Sequence, residues 1–126
     1  MHCCGNTDWS IFTDVPYIDI INFDAFGYQD KFVLYADNLK GFLERGGMIC
    51  WGIVPTQEFE PSLAPGLLIK KIEEGFKRLS DHGIARELLA RGLMLSPACG
   101  LGALDPAKTQ GIFKLLSETA LLIGRR

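Results

Sequence analysis

A chain of 126 residues, 48% hydrophobic and 22% charged, is long enough for one domain with a real core and too short for two. The formal charge of -2, with no basic run interleaved with aromatics, excludes binding driven by a field of positive charge, whether to nucleic acid or to an anionic membrane surface. No apolar run approaches the roughly 20 residues that span a bilayer, and Asp8, Asp14 and Asp19 interrupt the opening where a secretory signal would be apolar. A cytoplasmic location follows as the expectation, and there the four cysteines read as free thiols or metal ligands rather than as a disulfide framework.

The chain opens with "MHCCGNTDW". On an extended segment His2 and Cys4, two apart, leave the same face, while Cys3 points the other way. The stretch "YIDIINFDAF" (17–26) is short, rich in Ile and Phe and followed by Gly27, as a buried strand would be. In "YADNLKGFLERGG" Leu39, Phe42 and Leu43 fall at i, i+3, i+4 before Gly46-Gly47, which predicts a short helix with a C-terminal glycine stop. A second strand is expected in "GMICWGIVP" (47–55). In "PSLAPGLLIKKIEEGFKRLSDHG" Leu68, Ile72, Phe76 and Leu79 form one stripe that Gly83 ends, before a shorter helical piece "IARELLARG". A third strand is expected in "LMLSPACG" (93–100). The last helix opens at "LDPAK", with Asp105 as N-cap and Pro106 in the first helical position, and Ile112, Leu115, Leu116 and Leu122 continue its period.

This βαβαβα alternation over a single domain, 1–126, predicts parallel strands joined by helical crossovers, in an open doubly wound sheet or in part of a (β/α) barrel. Ligands gather at the C-terminal ends of the strands in both. That rim collects His2 and Cys4 from the opening, Asp24 from the end of "DIINFD" and Cys99 from the end of "LMLSPAC". An imidazole, two thiolates and a carboxylate make a tetrahedral set suited to zinc. The spacing alone fits equally well a buried cysteine and a hydrogen-bonded histidine at a strand end. Asn22 shares the face of Asp24 by period two and is a candidate for lining the site. Trp51, Thr56 and Glu58 lie at or beyond the second of these strands with milder claims, Cys50 reads as a core residue, and His82 reads as a surface or capping residue on the opposite rim.

"HCCGNTDW", "DIINFDAFGY" and "SPACGLGAL", in this order, resemble the C-terminal catalytic region of cobalamin-independent methionine synthase. More widely they resemble the zinc methyltransferases of the uroporphyrinogen-decarboxylase-like barrel superfamily. The resemblance implies the C-terminal half of a TIM-type (β/α)8 barrel with zinc as cofactor, held by His2, Cys4, Asp24 and Cys99. The methionine synthases carry glutamate where this chain has Asp24, a shorter carboxylate. The implied activity is methyl transfer to a small-molecule thiol such as homocysteine, from a methylfolate or a methyl-corrinoid, as in methionine biosynthesis. A full barrel needs about 250 residues, so half of one implies either a fragment of a longer product, whose other half supplies the groups positioning the methyl donor, or a free-standing half that self-associates or pairs with a complementary half-barrel. The alternative is a zinc- or thiol-binding half-barrel that pairs with another subunit without catalysis. A redox role for adjacent Cys3 and Cys4 is disfavoured by the strained ring they would close.

Overall fold

The computed structural model describes residues 1–124. Four parallel strands, β1 (His2–Cys3), β2 (Ile20–Phe23), β3 (Met48–Val54) and β4 (Leu93–Pro97), form one sheet in the order β1-β2-β3-β4. Between them run α1 (Ser10–Thr13), then α2 (Ala25–Phe32), a 3-10 turn at Val33–Tyr35 and α3 (Ala36–Glu44), then α4 (Pro65–Asp81) and α5 (Arg86–Arg91), with α6 (Pro106–Ile123) after the last strand. Among the described residues no helix is long and apolar enough to cross a membrane.

Strand order that follows chain order has a consequence for layering. Right-handed crossovers that always advance in one direction put every helix on the same face of the sheet, whereas a doubly wound sheet reverses its order and is covered on both faces. The side chains agree. Ile21, Phe23, Ile49, Trp51 and Ile53 are at most 1% exposed and pack under the helices. Across the other face run His2, Asn22, Cys50 and Met94 in register; Cys50 is buried, but Met94 is 36% and neighbouring Ile20 38% exposed. The fold is therefore α/β with a singly covered parallel sheet, an arrangement compatible with half a barrel.

The apolar stripes do the holding. Leu68, Ile72, Phe76 and Leu79 of α4 are all 4% exposed or less, and α4 sits so close to the sheet that a Cβ on Gly75 would lie 2.7 Å from the Trp51 ring. Phe23 stacks on Phe32 and meets Trp51 edge-on, with ring centroids 5.1 Å apart in the second pair, so β2, α2 and β3 share one aromatic cluster. Two helices end in the predicted glycines. After α3, Gly46 at φ 99° closes a pair of bonds, Gly47 N–H to Phe42 C=O and Gly46 N–H to Leu43 C=O. After α4, Gly83 at φ 97° does the same through Ile84 to Leu79 and Gly83 to Ser80. Both are six-to-one, five-to-two closures that L side chains rarely allow. Asp105 caps α6 by accepting from Lys108 N–H at 2.9 Å, as expected.

Two expectations are corrected. The strand expected over 17–26 does not fill that stretch: only Ile20–Phe23 pair, as β2, Tyr17 is 90% exposed, and Ala25 already begins α2. The cause is Asp24, whose carboxylate accepts from Gly27 N–H at 2.8 Å and starts a helix where hydrophobicity alone reads as strand. Leu122 does not join the buried stripe of α6, being 41% exposed.

Candidate metal centre

Two strand ends meet at one rim of the sheet, those of β1 and β4. His2 stands on β1, Cys4 directly beyond it and Cys99 two residues beyond β4; the ligand atoms of these three all lie within 4.8 Å of one another. β1 and β4 are the two edges of the sheet. Flat, with strands about 4.8 Å apart, a four-stranded sheet would hold its edges about 14 Å apart. The ligand atoms stand far closer than that, so the ends of β1 and β4 approach each other as they would not in a flat sheet.

The opening behaves as the period of two dictates. Cys3 turns under the sheet and packs against the core, its thiol directed at the Gly5 carbonyl at 3.7 Å, and it takes no part in the group of three. His2 keeps its ring on the other face, with Nδ1 2.6 Å from Asn22 Oδ1. Asn22 is tied in turn to β3 and β4, its Nδ2 donating to the Cys50 carbonyl at 2.9 Å and to Ser96 Oγ at 3.0 Å. It is thus a member of the strand network under His2.

Asp24 does not stand within the group of three. It lies at the end of β2 as expected, yet one of its oxygens is engaged as the cap of α2. Its carboxyl is held above the ordinary range, chiefly by burial and further by the charge of Glu58, against the opposing Gly27 N–H bond and the charge of His2. Glu58, on the connection after β3, therefore faces the same region. The sequence offers one signal for it, its place just beyond a strand end on the ligand-bearing rim.

The thiol of Cys99 is pushed up to about 11, first by burial, then by its hydrogen bond with Cys4 and by the charges of Cys4, Asp24 and Glu58. A second thiol, Cys50, is also raised, by burial, against an opposing interaction with the Ser96 side chain. The two differ in setting. Cys50 is 8% exposed in the sheet, while Cys99 lies half-buried among groups that each add negative charge. Two sulfurs and an imidazole, with carboxylates nearby, stand together as a donor set that suits a divalent cation. The group can accordingly hold a metal ion.

Trp51 and His82 fall where they were expected. Trp51 is 1% exposed and part of the core. Thr56 is buried at 4%. His82 is exposed at the C-cap of α4, its Nδ1 2.8 Å from the Arg78 carbonyl, at the opposite end of the strands from the thiols. A cleft of about 560 Å³ between Phe59, Leu63 and the first half of α6 is lined by none of His2, Cys4, Asp24 and Cys99.

No family model matches the chain, and no curated protein or solved structure matches it either.

Proposed function

We propose that the chain is half of a TIM-type (β/α)8 barrel carrying a zinc-dependent thiol methyltransferase centre of the methionine synthase kind. The observation that carries this reading is the convergence of His2, Cys4 and Cys99 within 4.8 Å on the strand-end rim. Nitrogen and two thiolates are the ligands zinc prefers, and three protein ligands leave the fourth position that distinguishes catalytic from structural sites. The order of the three resembling segments supports the choice of reaction, and the single covered face supports the barrel.

Zinc, when bound, keeps coordinating sulfur deprotonated near neutral pH, where a free alkyl thiol is mostly protonated. The residues do the rest. Cys4 and Cys99 bring two negative charges, which lower the net charge of the centre and leave an acceptor sulfur electron-rich. His2 and Cys4 are exposed, so an acceptor thiol reaches the rim from solvent and its proton departs the same way. Asp24, fixed by α2, stands close enough to feel the charge of His2 and serves as an auxiliary carboxylate. In the transfer itself the acceptor sulfur forms a bond to the methyl carbon while the bond from that carbon to the donor's nitrogen or cobalt breaks, its electron pair remaining with the donor.

A second reading is favoured by the uncovered sheet face. A four-stranded sheet has half the strands of a closed barrel, and the chain then acts as a zinc- and thiol-binding half that pairs with a second copy or with a complementary half-barrel. One experiment separates the two. The metal content of the purified chain is measured, and the zinc-loaded chain is assayed for methylation of homocysteine from methylfolate and from methylcobalamin, alone and with a complementary half-barrel. Zinc with turnover supports the methyltransferase, zinc without turnover in either setting supports the binding module, and absence of zinc overturns both.

A further inference from the structure

The hydrogen-bond inventory around Asn22 fixes something that distances alone do not, namely which nitrogen of His2 carries a hydrogen. Asn22 lies in register between His2 on β1 and Cys50 on β3. Its amide nitrogen has two hydrogens, and both are engaged, one by the Cys50 carbonyl at 2.9 Å and one by Ser96 Oγ at 3.0 Å. Ser96 directs its own hydrogen to the Pro97 carbonyl at 2.8 Å, so toward Asn22 it accepts. A flipped amide would set Oδ1 against the Cys50 carbonyl oxygen, acceptor against acceptor, which removes the usual ambiguity of an asparagine.

What remains of the amide is Oδ1, an acceptor only, 2.6 Å from His2 Nδ1. Two lone pairs at that distance repel, so Nδ1 must donate. A neutral imidazole has a single N–H, and Nε2 is then bare. We propose that Asn22 is a positioning residue that holds His2 in the Nδ1–H tautomer and thereby selects Nε2 as the atom offered to a metal ion. The lock runs against the default, since histidine free in water favours the Nε2–H form. It also fixes the ring plane through a relay that crosses the whole sheet, from β1 through β2 to β3 and β4. Partners of this kind orient a ligand histidine and raise its basicity, and their removal typically lowers metal affinity 10–100-fold.

The role of the metal rests on the proposed function; the tautomer does not, and it is measured on the metal-free full chain. The chain has two histidines, so imidazole nitrogen NMR on histidine-labelled protein, at a pH above the ordinary imidazole range, reads each of them, with His82→Gln assigning the other. The expected result is a protonated Nδ1 and an unprotonated Nε2 at His2. In Asn22→Ala the Nε2–H form should gain population, and zinc affinity should fall 10–100-fold with one ion per chain still bound at saturation. An Nε2–H form in the unaltered chain, or an unchanged tautomer in Asn22→Ala, overturns the proposal. Should Asn22→Ala fail to fold, the unaltered chain decides alone. An Nδ1–H tautomer in a chain that takes up no zinc sinks the metal reading and leaves the positioning of His2 standing.

Discussion

Cys4, just past one edge strand of the sheet, and Cys99, just past the other, bring their sulfur atoms within 4.8 Å of each other. The order of strands makes this a place where both edges contribute to a single centre. Loss of either thiol should therefore be severe, because no other described cysteine can replace it: Cys3 faces the core and Cys50 is buried in β3. Cys4→Ala, Cys99→Ala and His2→Ala should each abolish stoichiometric zinc binding, measured by metal analysis after dialysis and by cobalt absorption. Cys3→Ala and Cys50→Ala should bind nearly as the unaltered chain does. Equal loss on changing Cys3 and Cys4 would contradict the period of two. Asp24→Asn should be the mildest change near the site, since the amide oxygen can still cap α2.

Metal uptake should strengthen with pH. With no metal bound the Cys99 thiol holds its proton up to about 11, so binding near neutrality must expel it, and affinity rises as protons become scarcer. Competition with a chelator between about pH 6 and 8 should show this slope, and a pH-independent affinity would count against thiolate ligation. For folding of the metal-free chain the sign is opposite. A thiol raised from 9.0 to about 11 contributes stability that is complete below 9.0 and lost as pH rises through about 11. Denaturation of the chelated chain over that window should show declining stability.

Much of the frame is legible in the sequence because it depends on neighbours along the chain. Asp105-Pro106 caps α6, Gly46 and Gly83 end α3 and α4, and the stripe from Leu68 to Leu79 is buried, each by a rule operating over a few residues. Helix α2 is not legible in the same way. "NFDAF" is apolar enough to read as strand, and only the bond between Asp24 and Gly27 N–H turns it. The same bond draws Asp24 away from the role its position at a strand end implies. The meeting of Cys4 with Cys99, and the reach of Glu58 toward both Asp24 and Cys99, depend on how the sheet curls and how a connection folds back. No local pattern encodes those.

One side chain ties down four carbonyls of the connection between β1 and β2. The Arg45 guanidinium donates to the carbonyls of Thr13, Val15, Pro16 and Ile18, at 2.9 to 3.3 Å, and stands 4.9 Å over the Phe42 ring. Hydrogen bonds from a charged donor contribute about 1.5–3 kcal/mol net, discounted here because the group is open to water. Arg45→Ala should lower stability by about 1–2 kcal/mol in denaturant unfolding, and lysine, lacking the planar fork, should not restore it. Trp51→Ala, deep in the aromatic cluster, should cost about 3–5 kcal/mol. An Arg45→Ala chain as stable as the parent would show that the segment from Thr13 to Ile18 is held by packing alone.

Association should follow from the uncovered face. Ile20 and Met94 remain 38% and 36% exposed on a sheet whose other side is fully packed, and parallel sheets are ordinarily covered on both faces. Among the described residues the edges β1 and β4 are also unpaired on their outer sides, a second inducement to association. Sedimentation of the purified chain should find dimers or larger species, and Met94→Lys, which places a charge on that face, should shift them toward monomer. A monodisperse monomer resistant to proteolysis would contradict the half-barrel.

Thiol binding and methyl transfer make different demands, and the isolated chain should satisfy only the first. His2, Cys4 and Cys99 all lie within it, so an added thiol such as homocysteine should coordinate the loaded ion, release a proton and change the cobalt absorption spectrum. Transfer also needs the methyl donor held in line with that sulfur, and such positioning can account for roughly 7–11 kcal/mol of a barrier. In a closed barrel the groups facing the donor come from strands all around the rim; four strands supply one side of it. The expected outcome is a thiol-dependent spectral change with no turnover from methylfolate or methylcobalamin, and turnover once a complementary half-barrel covers the bare face. Multiple turnovers by the chain alone would mean that the rim from β1 to β4 already holds the whole donor site.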